Sequence, residues 1–263
     1  MMRVRAACAS PGAAMALQLT TFKTADDAAQ ALALQVSKDL HQVLAQEQER
    51  ALLLVSGGRS PLPFFAALAQ QPLAWENIDI SLVDERSVRP DHPDANAALV
   101  REHLLCGPAA AARFLPLMSH VAAATDPWLW ARRSVQVANA NPALVKPAVI
   151  VLGLGTDGHT ASLFADAPQW HEATTTERRY VALQPGQAPH ARVSLSLHAL
   201  AAQHACYVWS GGAAKLEVLR RASTLAAAVA DGSLDAATLD GAGAIARLVA
   251  DPGVILKVYH SQF

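Results

Sequence analysis

Four short strand-like segments constrain this chain most: Ala51–Val55, Ile78–Val83 (apolar apart from Asp79 and Ser81), Ala148–Leu152 and Cys206–Trp209. Runs of this length, closed by glycine or charge, read as buried strands. Each leads through a turn or polar stretch toward a segment with helical features. Ser60 and Pro61 are placed to open a helix after the first run, and Asp94 to cap one after the second. A helix is expected to start near Thr160 and Ser162 after the third, and one carrying Lys215, Val218 and Leu219 after the fourth. Strands that alternate with helices pair mainly in parallel. The expected fold is therefore a layered α/β domain with a mainly parallel central sheet flanked by helices.

The remaining pattern fits that frame. Thr24 caps a helix expected over Thr24–Arg50, with Ala28, Leu32, Val36 and Leu40 on one face. Asp126 caps another that runs to about Asn139. Further strands are expected at Arg113–Met118, Tyr180–Leu183, Val193–Leu197 and Val254–Tyr259. The alanine-rich stretch Leu225–Ala250 reads as helical, broken by Gly232, Gly241 and Gly243. Neither an internal repeat nor a domain-sized linker is visible. The expectation is an N-terminal extension over residues 1–18 and one domain over residues 19–263. Arg3 and Arg5 begin a signal-like segment, but Pro11 and Gly12 interrupt it.

Hydrophobic residues make up 52% of the chain and charged residues 16%, so a large core is available and global disorder is excluded. A net charge of -1 gives no footprint for nucleic acid or anionic membrane. The apolar runs are too short to span a bilayer. Cys8, Cys106 and Cys206 are odd in number and widely spaced, which fits a reducing cytoplasm better than a disulfide framework. His198 and His204 lack companions at a recognisable zinc spacing, so no metal and no cofactor are expected. No G-x-S-x-G elbow is present.

Candidate chemistry gathers at the strand ends. Val151–Phe164 carries an apolar strand into Gly153 and Gly155, then presents Asp157, Gly158, His159 and Thr160 on one turn. A neutral imidazole can take a proton from water near neutral pH, and a neighbouring carboxylate can orient it. The turn Ser56-Gly57-Gly58-Arg59-Ser60 can offer backbone N–H groups to a phosphate, although it is equally a tight turn. Asp84-Glu85-Arg86, with Asn96 downstream, reads first as a solvated loop. In a site, Arg86 would fork onto phosphate and Asp84 would accept sugar hydroxyls. Arg192 and Lys215 each place one cation near a strand boundary.

Five stretches occur in the order LLLVSGGRSP, ISLVDERSVRPDHPDAN, VLGLGTDGHTASLF, PHARVSLS and SGGAAK. Together they closely resemble the bacterial type of 6-phosphogluconolactonase. The wider superfamily includes glucosamine-6-phosphate deaminases and shares a modified Rossmann-like fold. The resemblance implies a cytoplasmic enzyme of the pentose phosphate pathway, a monomer or homodimer, acting on a small sugar-phosphate lactone. It implies His159 as general base, oriented by Asp157. Ser56, Gly57, Gly58, Ser60, Asp84, Arg86, Asn96, Gly155, Gly158, Thr160, Arg192 and Lys215 become candidates for binding substrate and phosphate. Two departures stand out: Arg59 where the family often has a hydroxyl residue, and Ala165 where proline is common. The deaminase branch carries a glutamate five residues after the motif histidine, and here that residue is Phe164. A non-catalytic sugar-phosphate sensor on the same scaffold is the third reading.

Overall fold

The computed structural model describes residues 17–46, 49–118, 126–202 and 205–262. The chain starts with strand β1 (Leu17–Phe22) and helix α1 (Ala25–Ala45), then β2 (Ala51–Val55), α2 (Leu62–Ala69), β3 (Ile78–Leu82) and the short β4 (Asp84–Arg86). Next come α3 (Asn96–His103), the two-residue β5 (Arg113–Phe114), α4 (Pro127–Ala140) and β6 (Pro147–Leu152). The second half runs α5 (Trp170–Thr175), β7 (Tyr180–Leu183), β8 (Arg192–Leu195), α6 (Leu197–Ala201), β9 (Cys206–Gly211), α7 (Ala213–Ala230), α8 (Ala244–Ala250) and β10 (Leu256–Ser261).

Seven strands form one sheet in the order β1-β10-β9-β6-β2-β3-β5, and every pairing in it is parallel. The middle of that sheet is mostly apolar, with Asp79 and Ser81 of β3 as buried polar exceptions. Leu53, Leu54, Val55, Ile80, Leu82, Val149, Ile150 and Val208 are fully buried, as strands covered on both faces must be. Helix α1 packs against α2, and α7 against α8. No helix among the described residues is long and apolar enough to cross a membrane.

From β2 the chain steps to β3 and β5 on one side, then returns to β6, β9 and β10 on the other. The reversal falls between β2 and β6. In open α/β sheets, ligands bind in the crevice beyond the carboxyl ends of strands at such a switch. The two strand ends are tied together there. Ser56 N–H donates to the Val151 carbonyl at 2.9 Å, and Gly153 N–H donates to Ser56 Oγ at 2.9 Å.

Several expectations need correction. Strand β1 begins at Leu17, inside the stretch assigned to the extension, and pairs along β10. Asp84-Glu85-Arg86 is a strand, not a loop. It joins β8 and β7 in a second, antiparallel sheet that periodicity did not reveal. Its letters are polar, yet Asp84 and Glu85 are buried because distant partners satisfy them. Ser60 does not cap α2, which has no side-chain cap; its carbonyl and hydroxyl instead accept from the Trp209 indole N–H at 2.8 and 3.1 Å. Asp94 does not cap α3 either. The Glu85 carboxylate does, accepting from Asn96 and Ala97 N–H at 2.9 and 2.7 Å. The helix expected after His159 is replaced by turns as far as α5. Thr160 Oγ1 donates back to the Gly153 carbonyl at 2.8 Å and Ala161 has φ of 50°, so the chain doubles back instead of winding on.

Candidate active site

A cleft of about 810 Å³ opens over the switch point. Its walls come from the Ser56–Pro61 turn after β2, from Asp84, Arg86 and Asn96, from Gly153–Asp157, His159 and Phe164 after β6, and from Lys215 in the first turn of α7. Stations far apart in sequence thus meet at one place.

The centre of the cleft is a compact turn. His159 Nδ1 lies 2.5 Å from Asp157 Oδ1, and the His159 N–H also donates to that oxygen at 3.2 Å. The imidazole holds the Asp157 carboxyl below the ordinary aspartate value, chiefly through this hydrogen bond, so the carboxylate stays ionised. With Nδ1–H donated to Asp157, Nε2 is the nitrogen left to accept a proton. Phe164 stacks on the imidazole, with ring centroids 4.1 Å apart and planes at 27°. One edge of the ring is thus fixed by charge and one face by packing.

Two glycines make this geometry possible. A Cβ on Gly155 would stand 2.1 Å from His159 Nδ1 and 2.4 Å from Asp157 Oδ1, so the pair occupies the space a side chain would need. Gly158 adopts φ of 84°, and a Cβ there would reach 2.1 Å from the Ala242 carbonyl. The turn is pinned on that side by Ile245 N–H, which donates to the Gly158 carbonyl at 3.1 Å.

The second wall comes from the small antiparallel sheet. Asp84 faces Ser194, and Arg86 faces Arg192, directly across the β4–β8 pair. Residues opposite in such a pair share one face, and two residues along a strand return to it. Asp84, Arg86, Arg192 and Ser194 therefore share a face, while Glu85 points to the other. Two guanidiniums directly opposite repel each other unless anions compensate. Burial pulls the Arg192 guanidinium below the ordinary arginine value, and the nearby Asp84 charge offsets part of that pull. Arg86 Nη1 donates to the Asp94 carbonyl at 2.6 Å and Arg192 Nη2 to the Pro189 carbonyl at 2.9 Å. The Nε of each arginine is buried without a hydrogen-bond partner. Arg86 lines the cleft, whereas Arg192 is buried and does not; an unmet cationic donor on a cleft wall suits an oxyanion.

The other candidates divide into cleft walls and supports. Lys215 is half-buried, and burial pushes its ammonium below the ordinary lysine value. Asn96 is buried: Nδ2 donates to the Asp84 carbonyl at 2.9 Å, and its side chain fills the space where a Gly57 Cβ would sit. Asp84 Oδ2 accepts from Ser162 Oγ at 2.5 Å. Thr160 is buried and bonded within its own turn. Gly58, at φ of 88°, has open space around it. Arg59 proves to line the cleft, a direction the sequence does not show. Glu85 is the functional support that motif reading left without a role, since its carboxylate and the α3 amides it caps are brought together only by folding.

Fold and cleft together define an α/β enzyme that handles a small anionic substrate at the switch point of its sheet. Residues 23–239 match the family described as Glucosamine-6-phosphate isomerases/6-phosphogluconolactonase. The chain is 42% identical over 182 residues to a 6-phosphogluconolactonase of Neisseria meningitidis serogroup A, covering 68% of this chain and 77% of that relative. It is 40% identical over 208 residues to a 6-phosphogluconolactonase of Pseudomonas aeruginosa, covering 78% and 84%. A 6-phosphogluconolactonase structure from Shewanella baltica OS155 superposes with a TM-score of 0.79 at 31% identity, over 93% of this chain and 97% of that one. This chain belongs to the glucosamine-6-phosphate isomerase/6-phosphogluconolactonase family.

Proposed function

We propose that this protein hydrolyses 6-phospho-D-glucono-1,5-lactone to 6-phospho-D-gluconate, with His159 as general base. The observation that carries the reading is the Asp157–His159 couple, fixed at 2.5 Å on a glycine turn that faces the cleft. His159 Nε2 takes a proton from a water whose oxygen adds to the lactone carbonyl carbon. The tetrahedral intermediate then breaks the bond to the ring oxygen. The imidazolium returns its proton to that oxygen, and the ring opens to the acid. Asp157 keeps the imidazole in the required tautomer and orientation. The N–H groups of Gly155, Gly158 and His159 already donate within the turn, so the oxyanion must be met by other donors. Arg86 and Lys215, with Arg192 across the strand pair from Arg86, are the phosphate's cations. Arg59 adds a further charge on the cleft wall.

The deaminase reading is disfavoured by Phe164, which stacks on the base and cannot exchange a proton. The sensor reading is disfavoured because the complete acid–base couple is present. Cytoplasmic action, as a monomer or homodimer, goes with the same reading.

The test is to incubate purified protein separately with fresh lactone and with glucosamine 6-phosphate. Acid release above the spontaneous rate, without ammonia, is expected. Sustained ammonia release with no acceleration of the lactone would overturn the choice within the family.

A further inference from the structure

We propose that His92, Asp94 and His190 form a binding site for a four-coordinate divalent transition metal of the zinc type, clamping together the two loops that hold Arg86 and Arg192. Among the described residues, this is the one group of histidine, cysteine and acidic side chains whose ligand atoms all lie within 4.8 Å of one another.

The distances suit a metal. His190 Nε2 is 2.9 Å from Asp94 Oδ2, and His92 Nδ1 is 3.8 Å from the same oxygen. Nitrogen and oxygen ligands about 2.0–2.1 Å from a tetrahedral zinc ion stand roughly 3.3 Å apart. One pair must open and the other close by about half an ångström, within side-chain reach. His92 Nδ1 accepts the Asp94 N–H at 3.0 Å, a hydrogen bond that a metal on this nitrogen would replace. The two rings meet edge to face at 5.5 Å. Two imidazoles and one carboxylate select a late transition metal over magnesium or calcium, and leave a fourth position for water.

A second observation is independent of these distances. His190 has φ of 71°, one of only two non-glycine residues with positive φ among the described residues. A side chain held in that region persists where its surroundings fix it, and such positions gather at ligand clamps. Here the backbone directs the His190 ring onto Asp94 from the other loop.

The consequence for the cleft follows from the neighbouring carbonyls. Asp94 itself holds Arg86 through its carbonyl, and Pro189, next to His190, holds Arg192. A metal on the three side chains would lock the spacing of the two loops and so of the two guanidiniums. The sequence gives no sign of the site, because its ligands come from two loops 96 residues apart.

Titration of the chelator-treated full chain with Co²⁺ tests this through visible absorption, without reference to activity. One Co²⁺ per chain, with the intense bands of a four-coordinate site and displacement by Zn²⁺, is expected. His92→Ala and His190→Gln, each checked for an unchanged melting temperature, should weaken binding by about 100-fold or more. His159→Ala should leave it intact, which separates this site from the Asp157–His159 couple. Absence of saturable binding, a six-coordinate spectrum, survival of binding without His92 and His190, or its loss with His159→Ala would each overturn the proposal.

Discussion

Gly155→Ala tests the architecture of the histidine turn more sharply than deleting the histidine does. The new methyl would lie 2.1 Å from His159 Nδ1 and 2.4 Å from Asp157 Oδ1. Ordinary contact begins near 3.4 Å, so the imidazole or the carboxylate must move by about 1 Å. Misplacement on that scale costs roughly 100-fold in rate when reacting groups must be aligned. Gly155 does not adopt a positive φ, so the backbone accepts alanine and the fold should survive. Gly153 supplies the control from the same strand end. A Cβ there meets Ser56 Cβ at 3.7 Å, an ordinary contact, and Gly153→Ala should keep most activity. Lactone hydrolysis, corrected for spontaneous ring opening, would be measured for both variants beside their melting temperatures. Near-normal turnover in Gly155→Ala, with the fold unchanged, would refute the claim that the Asp157–His159 spacing sets the rate.

Other expectations follow from the same geometry. Phe164→Ala should reduce turnover about 2- to 10-fold while leaving the product's Kd almost unchanged, since an aromatic stack is worth about 0.5–1.5 kcal/mol; steady-state kinetics with product calorimetry checks this. Lys215→Met should weaken 6-phosphogluconate by about 1.5–3 kcal/mol and barely affect gluconate, because a charge-assisted hydrogen bond to phosphate is lost; calorimetry with both ligands decides it. Burial pushes the Glu85 carboxyl up to about 7 from 4.5, against the three amides that favour its anion. A folded-state value above the unfolded one gives stability that is complete below the unfolded pKa and lost as pH rises through the folded one. Stability should therefore decline from about pH 5 to about pH 8 by up to about 3 kcal/mol. Glu85→Gln should flatten that slope in denaturant titrations.

Legibility in the sequence followed the range of the forces involved. Strands β2, β6 and β9 were visible because burial on both faces writes continuous apolar runs. Asp126 was correctly placed as a cap because the backbone N–H groups that donate to its carboxylate lie two and three residues away. Glu85 and Asp94 changed places for the opposite reason. The amides that Glu85 caps lie 11 and 12 residues away, while Asp94 turns outward to His190, 96 residues on. Strand β4 was hidden because its partner β8 lies more than 100 residues further along the chain. The Asp157–His159 couple was legible, since two residues on one glycine turn have little choice of partner. The stacking of Phe164 on the imidazole was not, because it depends on the chain turning back at Thr160 and Ala161. The direction of Arg59 likewise depends on the shape of the whole cleft. His204 and Cys8 lie outside the described residues.

The central claim is that His159 moves the protons of lactone hydrolysis. Its most direct test compares wild type and His159→Ala on fresh lactone, with spontaneous hydrolysis subtracted and 6-phosphogluconate binding measured alongside. The account predicts a fall in turnover of about 100- to 10,000-fold with product affinity largely retained. Near-normal turnover in the variant would contradict it.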